Sequence, residues 1–143
     1  MSQIIFVNLP VADLARSKAF YEAIGAANNP KFTDETAACM VVSDTIYVML
    51  MTHDKWRQFT SKPIVDAHKS AQVLLCLSAG SKDEVNAYVE KAVAAGGVGD
   101  PSPIDDHHFM YGRSFEDPDG HGWGINWMDA AAAELGASAF EAA

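Results

Sequence analysis

The order strand, helix, hairpin occurs twice along this chain, and that repetition constrains the fold more than any other feature. In the first half "QIIFVNLPV" alternates as a strand, and Asp13 then caps an amphipathic helix whose apolar stripe is Leu14, Phe20, Tyr21 and Ile24 and which Gly25 stops. "TAACMVV", a turn at Ser43 and Asp44, and "TIYVMLMT" predict a hairpin, and the helical piece "HDKWRQF" follows. In the second half "QVLLCLS" predicts a strand. Ser81 and Glu84 then form an S-x-x-E capping box ahead of Val85, Tyr88, Val89, Ala92 and Val93, at i, i+3, i+4, i+7 and i+8 spacing. Gly96 and Gly97 end that helix. "FMYGRSFE" and "GWGINWM" predict a second hairpin, and "DPDG" between them puts Pro118 at the second and Gly120 at the fourth position of a type I turn. The expected fold is α+β: two β-α-β-β-β modules, residues 1–59 and 70–129, in a single domain over residues 1–129. An Ala-rich tail, 130–143, reads as a short helix without a site. At 143 residues the chain builds one real core.

Side chains alternate along a strand, and here the two rows differ in character. Ile5, Val7, Leu9 and Val11 are aliphatic, whereas Phe6, Asn8 and Pro10 are mixed. The division recurs as Val73, Leu75 and Leu77 against Gln72, Leu74, Cys76 and Ser78, and as Val48 and Leu50 against Tyr47, Met49, Met51 and His53. It recurs once more as Trp123, Ile125 and Trp127 against Gly124, Asn126 and Met128. Two helices on one face of a sheet account for the aliphatic rows. The mixed rows then line a concave cavity or a partner surface, because Phe6, Tyr47, Met49, Met51 and Met128 are costly to leave in water.

Ten Lys and Arg against nineteen Asp and Glu give a net charge of −9, the wrong sign for tracking phosphates, so nucleic acid is not an expected partner. No stretch approaches the roughly 18 apolar residues of a membrane span and no basic leader precedes an apolar run, which predicts a soluble, cytoplasmic protein without a membrane partner. Cys39 and Cys76 stand far apart in apolar segments without a CxxC or His neighbour, the pattern of buried thiols.

The segments "VADLARSKAFYEAIG", "LLCLSAGSKDEVNAYVEKAVAAGG" and "FMYGRSFEDPDGHGW" resemble the vicinal oxygen chelate superfamily, which includes glyoxalase I, bleomycin-resistance proteins and extradiol dioxygenases. They look most like the small bacterial proteins labelled predicted lactoylglutathione lyases. The resemblance implies paired modules whose sheet curls into a cup with helices on its outer face, usually in a homodimer. In metal-using members a His or Gln on the first strand and a Glu on the last strand of each module supply four ligands to a divalent ion. Those positions fall on Phe6, Gln72, Met49 (or Val48, one residue away) and Gly124, which leaves Gln72 as the one donor.

Two classes of function follow. In the favoured one a small oxygenated or amphipathic metabolite binds in the cup without a metal or other cofactor. Phe6, Tyr47, Met49, Met51 and Met128 would supply apolar contact, and Asn8, Gln72, Asn126 and Arg113 polar anchoring. Gly124 would widen the cup floor and remove a charge that repels acidic ligands. The alternative is a metal-dependent lyase or isomerase of the lactoylglutathione lyase type, with Gln72 and further ligands holding a divalent ion. Other candidates are weaker. Asp105, Asp106, His107 and His108 are dense in donors, but neighbours on an extended segment point apart, and His53 and His121 would have to reach the cup. His121 otherwise serves the local turn, and Arg113 otherwise pairs with Glu116 or Asp117. No phosphate loop or nucleophile elbow is present, so no catalytic residue is assigned.

Overall fold

A computed structural model describes residues 2–136. The first module contains β1 (Ile5–Val11), α1 (Leu14–Ala23), β2 (Ala27–Asn29), a 3-10 turn (Pro30–Phe32), β3 (Ala37–Val41), β4 (Ile46–Thr52) and α2 (His53–Trp56). The second contains β5 (Leu75–Ser78), α3 (Lys82–Ala94), β6 (Val98–Gly99), β7 (Asp105–Asp106), β8 (Met110–Glu116) and β9 (Gly122–Met128), and α4 (Ala130–Leu135) follows. The rest of the Ala-rich tail lies outside the described residues. The first sheet runs β1-β4-β3-β2 and the second β5-β9-β8-β6, with β7 also on β8. In each, the first and last strands pair in parallel, placing Asn8 beside Met49 and Cys76 beside Gly124. Among the described residues no helix is long and apolar enough to cross a membrane.

Local chemistry sets the helix starts. The Asp13 carboxylate accepts from the Arg16 N–H at 3.1 Å and the Ser81 hydroxyl from the Glu84 N–H at 3.1 Å, each satisfying an end N–H that the helix leaves open. Glu84 closes its cap on the Gly80 N–H, at 2.6 Å, one residue before the expected partner.

The aliphatic rows face the helices, as their parity predicts. Leu9, Val11, Val48 and Leu50 of the first sheet and Phe115, Trp123 and Ile125 of the second enclose Phe20 and Tyr21 of α1 and Val85 and Val89 of α3 in one core. Both modules therefore bury their apolar faces against each other. Polar groups bridge them. The buried Tyr21 hydroxyl donates to Asp117 Oδ2 at 2.6 Å and accepts from Trp123 Nε1 at 3.0 Å. Asp117 is itself buried, at the start of the expected turn, where the Gly120 N–H donates to its carbonyl at 2.9 Å. From that turn Asp119 accepts from the Ala12 N–H (2.9 Å) and the Ser17 hydroxyl (3.1 Å), and His121 Nε2 donates to the Pro10 carbonyl at 2.8 Å. Gly120 needs its φ of +91°, and a Cβ there would lie 2.7 Å from the His68 nitrogen.

Two expectations are corrected. Gln72 is not on a strand: β5 begins at Leu75, and Gln72 lies on an exposed bend ahead of it. With Cys76 beside Gly124, Gln72 would have to pair with Gly120, which belongs to the turn, so no strand lies opposite to hold it. The second correction concerns the cup. Because the two modules turn their aliphatic faces to one shared core, their mixed faces form two hollows with no lining residue in common. Phe6 borders the first and Gly124 the second.

Candidate functional site

The first hollow measures about 640 Å³. It lies on the open face of the first sheet and receives Phe6, Asn8, Tyr47, Met49 and Met51, five residues that parity assigned to this face. Phe6 and Tyr47 are adjacent in register on β1 and β4, and their rings stack with centroids 5.0 Å apart and planes 23° from parallel. Cys39 stands opposite Met49 across the β3–β4 hairpin and adds a third sulfur-bearing side chain to the wall. Burial pushes its thiol pKa up, which keeps it protonated and weakens it as a nucleophile. More of the wall comes from Asn29 at the end of β2 and, outside the strands, from Phe32 of the 3-10 turn, Trp56 of α2 and Phe59 just after it.

Sequence reasoning missed these residues, yet two had signals. Cys39 follows from continuing the alternation of "TAACMVV" across the hairpin, and Trp56 and Phe59 share a helical face at i, i+3 in "HDKWRQF". Nothing local marks Phe32.

The second hollow, about 410 Å³, is lined by Leu74, Cys76, Gly124 and Asn126, with Asp105 and Glu116 among its other lining residues. The Asn126 amide donates to Cys76 Sγ at 3.0 Å. Cys76 is exposed rather than a buried thiol as expected; partial desolvation raises its pKa while that hydrogen bond opposes it. Met128 continues the Gly124–Asn126 row to the end of β9 and is 39% exposed, but it does not line this hollow.

Arg113 also lines this second hollow, with its guanidinium already engaged. It shares its β8 row with Tyr111 and Phe115, on the side of α3, and is held there by two bonds to Asp100 (3.0 and 2.6 Å) and one to Asn86 Oδ1 (3.0 Å). This bidentate pair uses the guanidinium fork that a ligand carboxylate would need, and it is made with Asp100 rather than with Glu116 or Asp117. The hydrogen bonds hold Asp100 below the ordinary carboxylate range. Asp117 is shifted the other way, raised mainly by burial against the opposing pull of His121 and the Tyr21 hydrogen bond.

The two modules also supply their own alignment. Asn8 beside Met49 corresponds to Cys76 beside Gly124, and each first-strand residue lies six positions ahead of its helix start. The counterpart of Phe6 is therefore Leu74, not Gln72. The four positions at which the resemblance implies metal ligands are then Phe6, Met49, Leu74 and Gly124, and they offer one thioether and no imidazole or oxygen donor. Such a set does not fit a divalent ion, which takes nitrogen, thiolate or oxygen ligands. The histidines do not rebuild it. His53, His68 and His121 border a third hollow of about 380 Å³, and His107 stacks on Phe109 with ring centroids 5.7 Å apart. Among the described residues no three His, Cys, Asp or Glu side chains are grouped to hold a metal.

Comparison with known proteins places this geometry. Residues 3–43 match the family model described as bleomycin resistance protein-like N-terminal. The fold is similar to that of a hypothetical protein from S. aureus at 25% identity and a TM-score of 0.72, over 91% of this chain and 95% of that one. It is also similar to a glyoxalase/bleomycin resistance protein/dioxygenase family enzyme from Burkholderia phytofirmans, at 19% identity and a TM-score of 0.71, over 89% and 99% of the two chains. The chain has the fold of the vicinal oxygen chelate superfamily. A third structure, the fosfomycin resistance protein FosX from Mesorhizobium loti, aligns at 14% identity and a TM-score of 0.68, over 95% and 99%. No curated protein matches the sequence of this chain.

Proposed function

We propose that this chain binds a small amphipathic molecule in the first hollow without a metal, as a homodimer in which a second copy completes the site. The observation that carries the reading is the pairing of a roomy, aromatic- and sulfur-lined hollow with four ligand positions that lack metal donors. A volume of about 640 Å³ falls within the range of small-molecule sites, and its lining combines apolar rings with a few neutral polar groups. Support for the second copy comes from the outer edges of the sheets. β1 and β5 are both edge strands; β1 exposes Ile5 (54%) and Phe6 (51%), and at the equivalent positions just ahead of β5 Val73 (63%) and Leu74 (77%) are exposed. Such apolar edges are protected by pairing or by a partner.

Protein purified without chelator is expected to contain no stoichiometric metal and to bind an apolar fluorescent probe equally well with and without EDTA. Met49→Lys, which places a charge in the middle of the wall, is expected to weaken that binding at least about tenfold. Near-stoichiometric zinc, nickel or manganese, or probe binding abolished by EDTA, would refute the metal-free reading. A monomer by light scattering at all concentrations would refute the shared site.

A further inference from the structure

We infer that the first hollow selects planar aromatic molecules that carry no negative charge. This rests on the binding role proposed above and names the ligand class of that site. The argument begins with what is missing from the wall: none of its lining residues is Asp, Glu, Lys, Arg or His. A ligand carboxylate or phosphate entering it exchanges water for rings and thioethers, and no cationic fork is there to replace the lost solvation. One cation lies near enough to consider, and it is not part of the lining. Lys55 Nζ sits over the Phe59 ring, 5.7 Å from its centroid. The whole chain, at −9, also repels anions. A second copy that closed the site with its own second hollow would bring Asp105 and Glu116, together with an Arg113 whose guanidinium is already held by Asp100. The loss of a carboxylate at Gly124 therefore does not open the site to acidic ligands, as the sequence suggested, because Asp105 and Glu116 remain.

What the wall does offer is flat and neutral. Phe6, Phe32, Tyr47, Trp56 and Phe59 give five rings, and the stacked Phe6–Tyr47 pair forms a platform on which a further planar ring can lie offset. Their π faces accept a cation as readily as a neutral ring. Asn8 is on the same strand face as Phe6, and its amide makes no hydrogen bond to any described residue, so it has a donor and an acceptor free for a polar substituent. By the same reasoning a glutathione conjugate, with its carboxylates, is excluded.

The test is isothermal titration of the full-length protein at pH 7.5 with four probes: 2-naphthamide, (2-naphthylmethyl)trimethylammonium, 2-naphthoate and cyclohexanecarboxamide. The first two are expected to bind with similar affinity, and 2-naphthoate at least about tenfold more weakly for want of a cationic partner. Cyclohexanecarboxamide is also expected to bind weakly, because it cannot stack. Asn8→Ala is expected to reduce naphthamide binding about fivefold, the worth of a neutral hydrogen bond, while leaving the ammonium probe unchanged. Naphthoate binding as tightly as naphthamide would overturn the charge selection and leave the site itself standing. Failure of all four probes, or binding indifferent to Phe6→Ala and Phe59→Ala, would overturn the proposed site together with its selectivity.

Discussion

Tyr21→Phe removes a single oxygen atom from the centre of the contact between the modules, and its cost can be worked from the structure. That oxygen is both donor and acceptor: it gives a 2.6 Å bond to the Asp117 carboxylate and receives a 3.0 Å bond from Trp123 Nε1. Loss of the bond to a charged acceptor costs about 1.5–3 kcal/mol, and a buried indole N–H left without an acceptor costs about 1–3 kcal/mol. Asp117 keeps the Asp119 and His121 N–H groups, at 3.0 and 2.9 Å, so the first figure belongs at its lower end. The sum is about 3 kcal/mol, a fall in Tm of about 10 °C for a chain of this size. The assay is urea unfolding followed by far-UV circular dichroism at two protein concentrations, which separates folding from association. Tyr47→Phe is the control. Its hydroxyl lies 3.5 Å from the Asp44 carbonyl at the surface, and its loss is expected to change stability by less than about 0.5 kcal/mol. A Tyr21→Phe protein within about 1 kcal/mol of the wild type would refute the reading of this network as the bridge between modules.

Asp100→Asn is expected to cost about 1–2 kcal/mol at neutral pH by breaking the partly buried pair with Arg113. Because Arg113 lowers the native Asp100 pKa, this contribution is complete above the unfolded value of about 3.9 and is lost as pH falls through the native value. Denaturation midpoints of the two proteins should therefore converge in acid, and a gap that widened there would contradict the assignment. Gly97→Ala sets a Cβ against the Glu116 carbonyl oxygen and 2.8 Å from the Phe20 ring, and should destabilise by about 1–3 kcal/mol through overpacking. Gly96→Ala is a comparison of a different kind, strained by its φ of +100° with nothing within 4 Å of the new methyl group.

The strand faces were legible because alternation is a local property: a row containing Val48 and Leu50 declares the buried side, and Tyr47, Met49 and Met51 follow on the other. The ion-pair partner of Arg113 was not legible because Asp100 sits thirteen residues upstream in a loop. Gln72 was misread because a strand ends where its neighbour does, and the β9 start is set by a turn elsewhere in the chain. The separation of the two hollows depends on which faces the modules bury together. Tyr21, Asp117 and Trp123 decide that across about a hundred residues, and no pattern in either half announces it.

The shared core bears on what chain continuity is for. Residues 57–74 contain no helix or strand, whereas the contacts that join the halves, from Phe20 packed near Phe115 to Asp119 holding the entry to α1, are all non-covalent. A single proteolytic nick near Lys62 should therefore yield two fragments that stay together. Each fragment expressed alone would expose a face built for the other, so the linker serves mainly to raise the local concentration at which the halves meet.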